Sequence, residues 1–191
     1  MPPEQWPKLV VRSAAEVGFI LRQSKAKALI MPDRWRRIDY LARLAGLGAV
    51  PTLEHVVVIG SVVPAGAVHW SELEQDDGAL PGRPGPAVPP DSVALQIYTS
   101  GTTGRSKGAM LTHRNLSSNA EALVGLWRFT EADVLIHALP VFHTHGLFVA
   151  TNVALMSGAT MIFQPRFDAD AVLAAMPRAT SLMGVPTFYT R

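Results

Sequence analysis

Short apolar, β-branched runs alternate with helix-compatible segments along most of this chain, and that alternation restricts its fold more than any other feature. The runs are Ala28-Leu29-Ile30-Met31, His55-Val56-Val57-Val58-Ile59-Gly60, Val93 to Tyr98, Val134 to Leu139, Thr160 to Phe163 and Ser181 to Val185. Continuous apolar runs this short fit strands covered on both faces, and such strands run parallel with helices crossing between them. Helices are predicted where the spacing turns amphipathic. Ser13-Ala14-Ala15-Glu16 is a capping box ahead of Val17, Ile20 and Leu21. Further helices are expected over Trp35 to Leu47, His113 to Trp127, Gly146 to Met156 and Asp168 to Met176, with another beginning after Pro186. The expectation is an α/β fold built of βα units.

Between Gln75 and Asp91 the texture turns acidic and then Pro/Gly-rich, ending Pro81-Gly82-Arg83-Pro84-Gly85-Pro86-Ala87-Val88-Pro89-Pro90. Prolines at this density exclude a helix or a central strand. The segment is expected to be a long exposed loop inside one domain, with the strand after it drawing sheet neighbours from the first third of the chain. Composition then narrows function. A hydrophobic content of 48% over 191 residues can build a substantial core, and a formal net charge of +2 without a block of like charges argues against nucleic acid. The absence of cysteine excludes disulfides, thiol catalysis and cysteine-ligated metals. Met1-Pro2-Pro3-Glu4-Gln5-Trp6 has neither part of a secretory signal, and no apolar run could span a bilayer, so a cytoplasmic location is expected.

The densest chemistry lies in Tyr98-Thr99-Ser100-Gly101-Thr102-Thr103-Gly104-Arg105-Ser106-Lys107-Gly108. Glycines let successive backbone N–H groups turn toward an anion, the hydroxyls add donors and Lys107 adds a positive charge, so the loop suits phosphate. The alternative is a Gly/Ser/Thr-rich hairpin with a solvated lysine. An ordinary P-loop needs glycine directly before the lysine; here Ser106 precedes Lys107 and Gly108 follows it, which points to a different nucleotide fold. Gly108-Ala109-Met110-Leu111 reads as a return strand, and Thr112 as the cap of the next helix.

A second cluster, Leu139-Pro140-Val141-Phe142-His143-Thr144-His145-Gly146, follows a predicted strand. It therefore sits at a strand's carboxyl end, where open α/β sheets place ligands. Its aromatic, imidazole and glycine content suits an acyl pocket. Two other readings stay open: His143 caps the next helix or bonds in the core, or it joins His145 on a metal, although no cysteine or nearby carboxylate completes that ligand set.

The string Y-T-S-G-T-T-G-x-x-K-G, followed by L-T-H-R-N from Leu111 to Asn115, resembles the phosphate-loop signature of the adenylate-forming superfamily of acyl-CoA synthetases, luciferases and peptide-synthetase adenylation domains. It departs at Ser106, where that family carries proline. The second cluster matches the family's L-P-x-[FY]-H-x-x-G segment, and the run from His137 to Val153 with Met183 to Tyr189 resembles the malonyl-CoA synthetases within it. That closer likeness covers Asp91 to Arg191. The first sixty or so residues resemble acyl-CoA ligases in general, including those for alicyclic or aromatic acids.

The resemblance implies a partial N-terminal domain of the adenylate-forming fold, with a phosphate-loop hairpin, and an ATP-dependent, AMP-forming acid–CoA ligase. It implies that Thr99, Ser100, Gly101, Thr102, Thr103, Gly104 and Lys107 hold the nucleotide phosphates, and that Lys107 and His143 serve catalysis. Phe142, His143 and Gly146 would lie beside the acid and the CoA channel, with Val185 and Pro186 bordering that path. The small molecules implied are a carboxylic acid, ATP with Mg2+, and coenzyme A, with no metal ligand from this chain. Arg34, Arg36 and Arg37 could touch a CoA phosphate, though a solvated helix start is the simpler reading.

The family's adenine-facing Tyr-Gly-x-Thr-Glu segment with its magnesium-linked glutamate, its ribose-binding aspartate and its small C-terminal domain have no counterpart here. Residues 1–191 are accordingly expected to be an internal fragment of an AMP-binding domain, needing the missing C-terminal portion or a partner chain. The competing expectation is a non-catalytic module that keeps a phosphate-binding loop. Within the enzyme reading, a ligase for a medium-chain, alicyclic or aromatic acid and a peptide-synthetase adenylation domain are the rivals.

Overall fold

Residues 13–35, 37–75, 87–99 and 106–190 are described in the computed structural model, and the chain falls into two units, residues 1–87 with 96–109 and residues 88–95 with 110–191. The first unit opens on α1 (Ala14–Ser24), whose capping box forms as the sequence dictates. Glu16 N–H donates to Ser13 Oγ at 3.3 Å, and Ser13 N–H donates back to the Glu16 carboxylate at 2.8 Å. β1 (Ala28–Pro32) follows. β2 (Arg34–Trp35) and β3 (Ile38–Asp39) then pair antiparallel before α2 (Tyr40–Ala45). β4 (His55–Ile59), β5 (Val68–His69) and α3 (Trp70–Glu74) complete this stretch. The sheet is parallel in the order β1-β4-β5, with Ala28 opposite His55 and Val57 opposite Val68. Met31, Val57 and Val58 are buried, whereas Ile30 and Ile59 are 53% and 47% exposed, so these runs are less covered than their continuous apolarity predicts.

A carboxylate ties the carboxyl ends of β1 and β4. Asp33 accepts N–H bonds from Ser61 at 2.8 Å and Val62 at 3.0 Å, and one from Arg34. The Val62 bond, with those of Arg34 and Ser61, holds the Asp33 carboxyl below its ordinary value because each favours the charged form. Gly60 beside it sits at φ +151°, and a Cβ there would occupy the Asp33 carboxylate's place.

β6 (Val93–Thr99) and β7 (Lys107–Thr112) bond to each other as a two-stranded sheet. Among the described residues neither joins β1-β4-β5, so the strand after the Pro/Gly-rich segment takes its neighbour from downstream and not from the first third of the chain.

In the second unit, α4 (His113–Trp127) starts at Thr112, whose hydroxyl receives Asn115 N–H at 3.1 Å. The Arg114 guanidinium grips both carboxylate oxygens of Asp91, at 2.6 and 3.1 Å. β8 (Val134–His137) leads through a π-helical turn, His145–Ala150, into α5 (Thr151–Ser157) and β9 (Thr160–Phe163). α6 (Ala169–Ala175), capped by Asp168, returns the chain to β10 (Ser181–Met183). All three strands are parallel in the order β10-β8-β9, with His137 opposite both Phe163 and Met183. The crossover from β8 to β9 and the crossover from β9 back past β8 to β10 run in opposite directions across the sheet, so right-handed connections place their helices on opposite faces. Side-chain packing agrees: Leu135 and Leu139 meet Ala150 and Ala154 of the α5 side, while Ile136 and Ala138 meet Val172 and Ala175 of α6. The period-2 alternation of one central strand thus builds two cores.

Several expected boundaries move. The helix expected from Trp35 begins only at Tyr40, because Asp39 caps it by accepting Ala42 N–H at 2.9 Å and the residues before it pair as β2 and β3. The basic cluster is therefore not a helix start. Arg34 instead pairs with Asp39 at 3.1 Å, Arg37 is exposed in a turn, and Arg36 lies outside the described residues. β8 and β10 end at His137 and Met183, short of the expected Leu139 and Val185. The segment after Pro186 makes a three-residue 3-10 turn, Pro186–Phe188.

Candidate functional site

The phosphate-loop frame forms as two hydrogen-bonded strands. Thr99 is the last residue of β6 and Lys107 the first of β7, and both are exposed. Ser100, Gly101, Thr102, Thr103 and Gly104 lie outside the described residues. Gly108 is packed by the Gln96 side chain from the facing strand, in the space a Cβ would take. The frame thus presents a hydroxyl at one end of the loop and an ammonium at the other.

The second cluster belongs to the second unit. It starts where β8 ends, and the parallel neighbour β10 delivers Val185 and Pro186 to the same sheet end. Phe142, at 55% exposure, and His143 lie on the surface with ring centroids 6.5 Å apart. The reading of His143 as a core histidine is not met, because its side chain is exposed. Its carbonyl instead accepts Leu147 N–H at 2.9 Å and so opens the helical turn. Among the described residues no group of three metal-ligating side chains exists.

The backbone explains the glycine of this segment. A Cβ at Gly146 would press on the Pro140 carbonyl, lying 2.9 Å from its carbon and 3.3 Å from that of Leu139. Only glycine lets the turn fold back this closely. The Gly146 carbonyl then becomes a hub. It accepts the Thr151 N–H, which makes the turn π-helical, and the Thr151 hydroxyl at 2.9 Å. His137 Nε2 lies 2.9 Å from the same oxygen and 3.1 Å from Thr151 Oγ1. His137 is fully buried and rests on the Phe163 ring at 4.9 Å. It was not among the candidates read from the sequence, where a histidine at the end of an apolar run carries no signal of its own.

At the opposite end of β8, Asp133 receives Thr130 N–H at 2.8 Å and the Thr180 hydroxyl at 2.8 Å. The Thr130 backbone bond, followed by the threonine hydroxyls, keeps its carboxyl below the ordinary value. That carboxylate fixes the amino ends of β8 and β10 and stands away from the candidate site.

Comparison with known proteins places the arrangement. The family described as "AMP-binding enzyme" matches residues 12–191. The mitochondrial malonate–CoA ligase ACSF3 of Bos taurus is 40% identical over 183 residues, covering 93% of this chain and 29% of the relative. The crystal structure of ATP-bound MatB from Rhodopseudomonas palustris superposes with a TM-score of 0.70 at 44% identity, covering 94% of this chain and 34% of that one. A malonyl-CoA ligase ternary product complex with methylmalonyl-CoA and AMP gives a TM-score of 0.63 at 31% identity, covering 93% and 33%. The chain thus spans about a third of the length of these proteins. Among the described residues no helix is long and apolar enough to cross a membrane.

Proposed function

The chain belongs to the AMP-binding enzyme family, and on that premise we propose that it is part of an acid–CoA ligase that activates malonate or a close relative with ATP and passes the acyl group to coenzyme A. The carboxylate attacks the α-phosphorus, giving an acyl-adenylate and releasing pyrophosphate. The CoA thiol then attacks the acyl carbonyl, expels AMP and leaves a thioester.

The observation that carries this reading is the strand frame ending at Thr99 and resuming at Lys107, with an exposed cation at its exit. A donor-rich, positively charged loop suits a polyphosphate whose charge grows as it leaves. Thr99, Ser100, Gly101, Thr102, Thr103, Gly104 and Lys107 are assigned to that task. Phe142 and His143, exposed at the carboxyl end of the second sheet, are assigned with Val185 and Pro186 to the acid and CoA side. Gly146 serves by letting their turn fold. Mg2+ would arrive on the nucleotide, whose phosphate oxygens suit a hard cation.

Malonate is favoured over medium-chain, alicyclic and aromatic acids because the bovine relative bearing that name is 40% identical over 93% of the chain. Completion by further chain or a partner belongs to the proposal, as does a cytoplasmic location, for which the bovine relative's mitochondrial name is the rival and cell fractionation the test. Titration of ATP and pyrophosphate into the chain and its Lys107→Ala variant tests the phosphate site, and equal affinities would remove Lys107 from it. A module that only binds phosphate would show the same titration yet release no pyrophosphate when fused to the remaining two-thirds of a malonate–CoA ligase.

A further inference from the structure

We propose that His137 is a positioning residue, held as the Nε2–H tautomer, that fixes the Gly146 carbonyl and through it the Pro140–Gly146 turn carrying Phe142 and His143. The inference rests on the reading above only in giving that turn an acid-facing role.

The tautomer follows from the partners. A carbonyl oxygen cannot donate, so the 2.9 Å contact between Nε2 and the Gly146 oxygen is a hydrogen bond only with the proton on Nε2. Thr151 donates its hydroxyl to that same oxygen at 2.9 Å, and its backbone N–H as well. Nδ1 is then the bare acceptor, buried and without a partner. An unpaired buried acceptor is destabilising, whereas leucine or valine at this strand position would leave no such atom. The cost is intelligible if the opposite nitrogen has a task.

That task is local. The Gly146 carbonyl closes a π-helical turn, and such turns are frequent at functional sites. His137 reaches it from the last position of the central strand, where Phe163 of the neighbouring strand supports the ring at 4.9 Å. The strand is rigid and the turn is surface. The imidazole couples the two, so the angle at which Phe142 and His143 leave the sheet is set from beneath.

Nitrogen-15 spectra of the 191-residue chain read the tautomer directly: His137 should show a protonated Nε2 and a bare Nδ1. Amide hydrogen exchange reads the coupling. His137→Leu should speed exchange at Thr151, Leu147 and His143 about tenfold, the value of one net hydrogen bond, while β9 amides stay unchanged. His137→Gln, which keeps an N–H donor, should restore most of that protection. A proton on Nδ1 in the wild type, unchanged exchange in His137→Leu, or no rescue by His137→Gln each overturns the proposal. If His137→Leu does not fold, the wild-type tautomer together with His137→Gln exchange still decides it. Malonate titration followed at the His143 ring judges the acid-facing reading separately, since its failure leaves the tautomer and exchange results standing.

Discussion

Replacing either of two helical glycines with alanine should have opposite effects, although the chemical change is the same. Gly125 lies on the exposed side of α4 with nothing within 4 Å of a built Cβ. Alanine there gains about 0.5–1 kcal/mol from reduced freedom of the unfolded chain and better helix propensity. Gly146 lies in the π-helical turn with the Pro140 and Leu139 backbone 2.9 and 3.3 Å from the Cβ position. Backbone cannot rotate away as a side-chain tip can, so overpacking costs about 1–3 kcal/mol. Set against the same propensity gain, net destabilisation of up to roughly 2.5 kcal/mol remains. For a chain of this length about 1 kcal/mol shifts the melting temperature by about 2–4 °C. Gly125→Ala should therefore melt about 1–4 °C higher and Gly146→Ala lower by up to about 10 °C in paired thermal scans at one heating rate. A Gly146→Ala variant that gained stability like its α4 counterpart would refute the close approach to Pro140.

Lys107→Ala should weaken ATP or pyrophosphate binding about tenfold to a hundredfold by calorimetric titration, the loss of one charge-assisted contact. His143→Ala, in an enzyme completed by the rest of a ligase, should impair acid or thioester kinetics while leaving ATP affinity within about twofold; collapse of ATP affinity alone would misplace it. Asp33 and Asp133 have carboxyls held below their ordinary values by hydrogen bonds, so their contribution to stability is present above the unfolded carboxylate value of about 3.9 and is lost as pH falls through the lower folded value. The urea midpoint should accordingly decline below about pH 4, and less steeply in Asp33→Asn than in wild type.

Periodicity and capping chemistry made most of the fold legible. Thr112 with Asn115, Ser13 with Glu16 and Asp168 all start helices where their side chains can reach a backbone N–H. The errors came where tertiary partners overrode local pattern. Arg34 and Asp39 draw Trp35 and Ile38 into a short ladder, which delays the helix that the sequence would begin at Trp35. α3 was invisible because its cap is a histidine: His69 accepts Ser71 N–H through Nδ1 at 3.2 Å, a role usually read from serine, threonine or aspartate. The site divided in the same way. Phe142 and His143 could be placed from their position after an apolar run, Val185 and Pro186 only through the family resemblance, and all four follow the carboxyl ends of the paired strands β8 and β10. His137 could not, because burial distinguishes it and burial is a property of the fold.

The alternation along β8 also limits how this protein can be altered. Leu135 and Ile136 serve different helices, and His137 serves a third task on the same side as Leu135. Inserting or deleting one residue before them would exchange the two cores and carry the imidazole to the α6 side, away from the Gly146 carbonyl. Loops elsewhere can lengthen at modest entropic expense. The strand and the turn that follows it can be transplanted only as one cassette, with Asp133 as its first fixed point and Thr151 as its last.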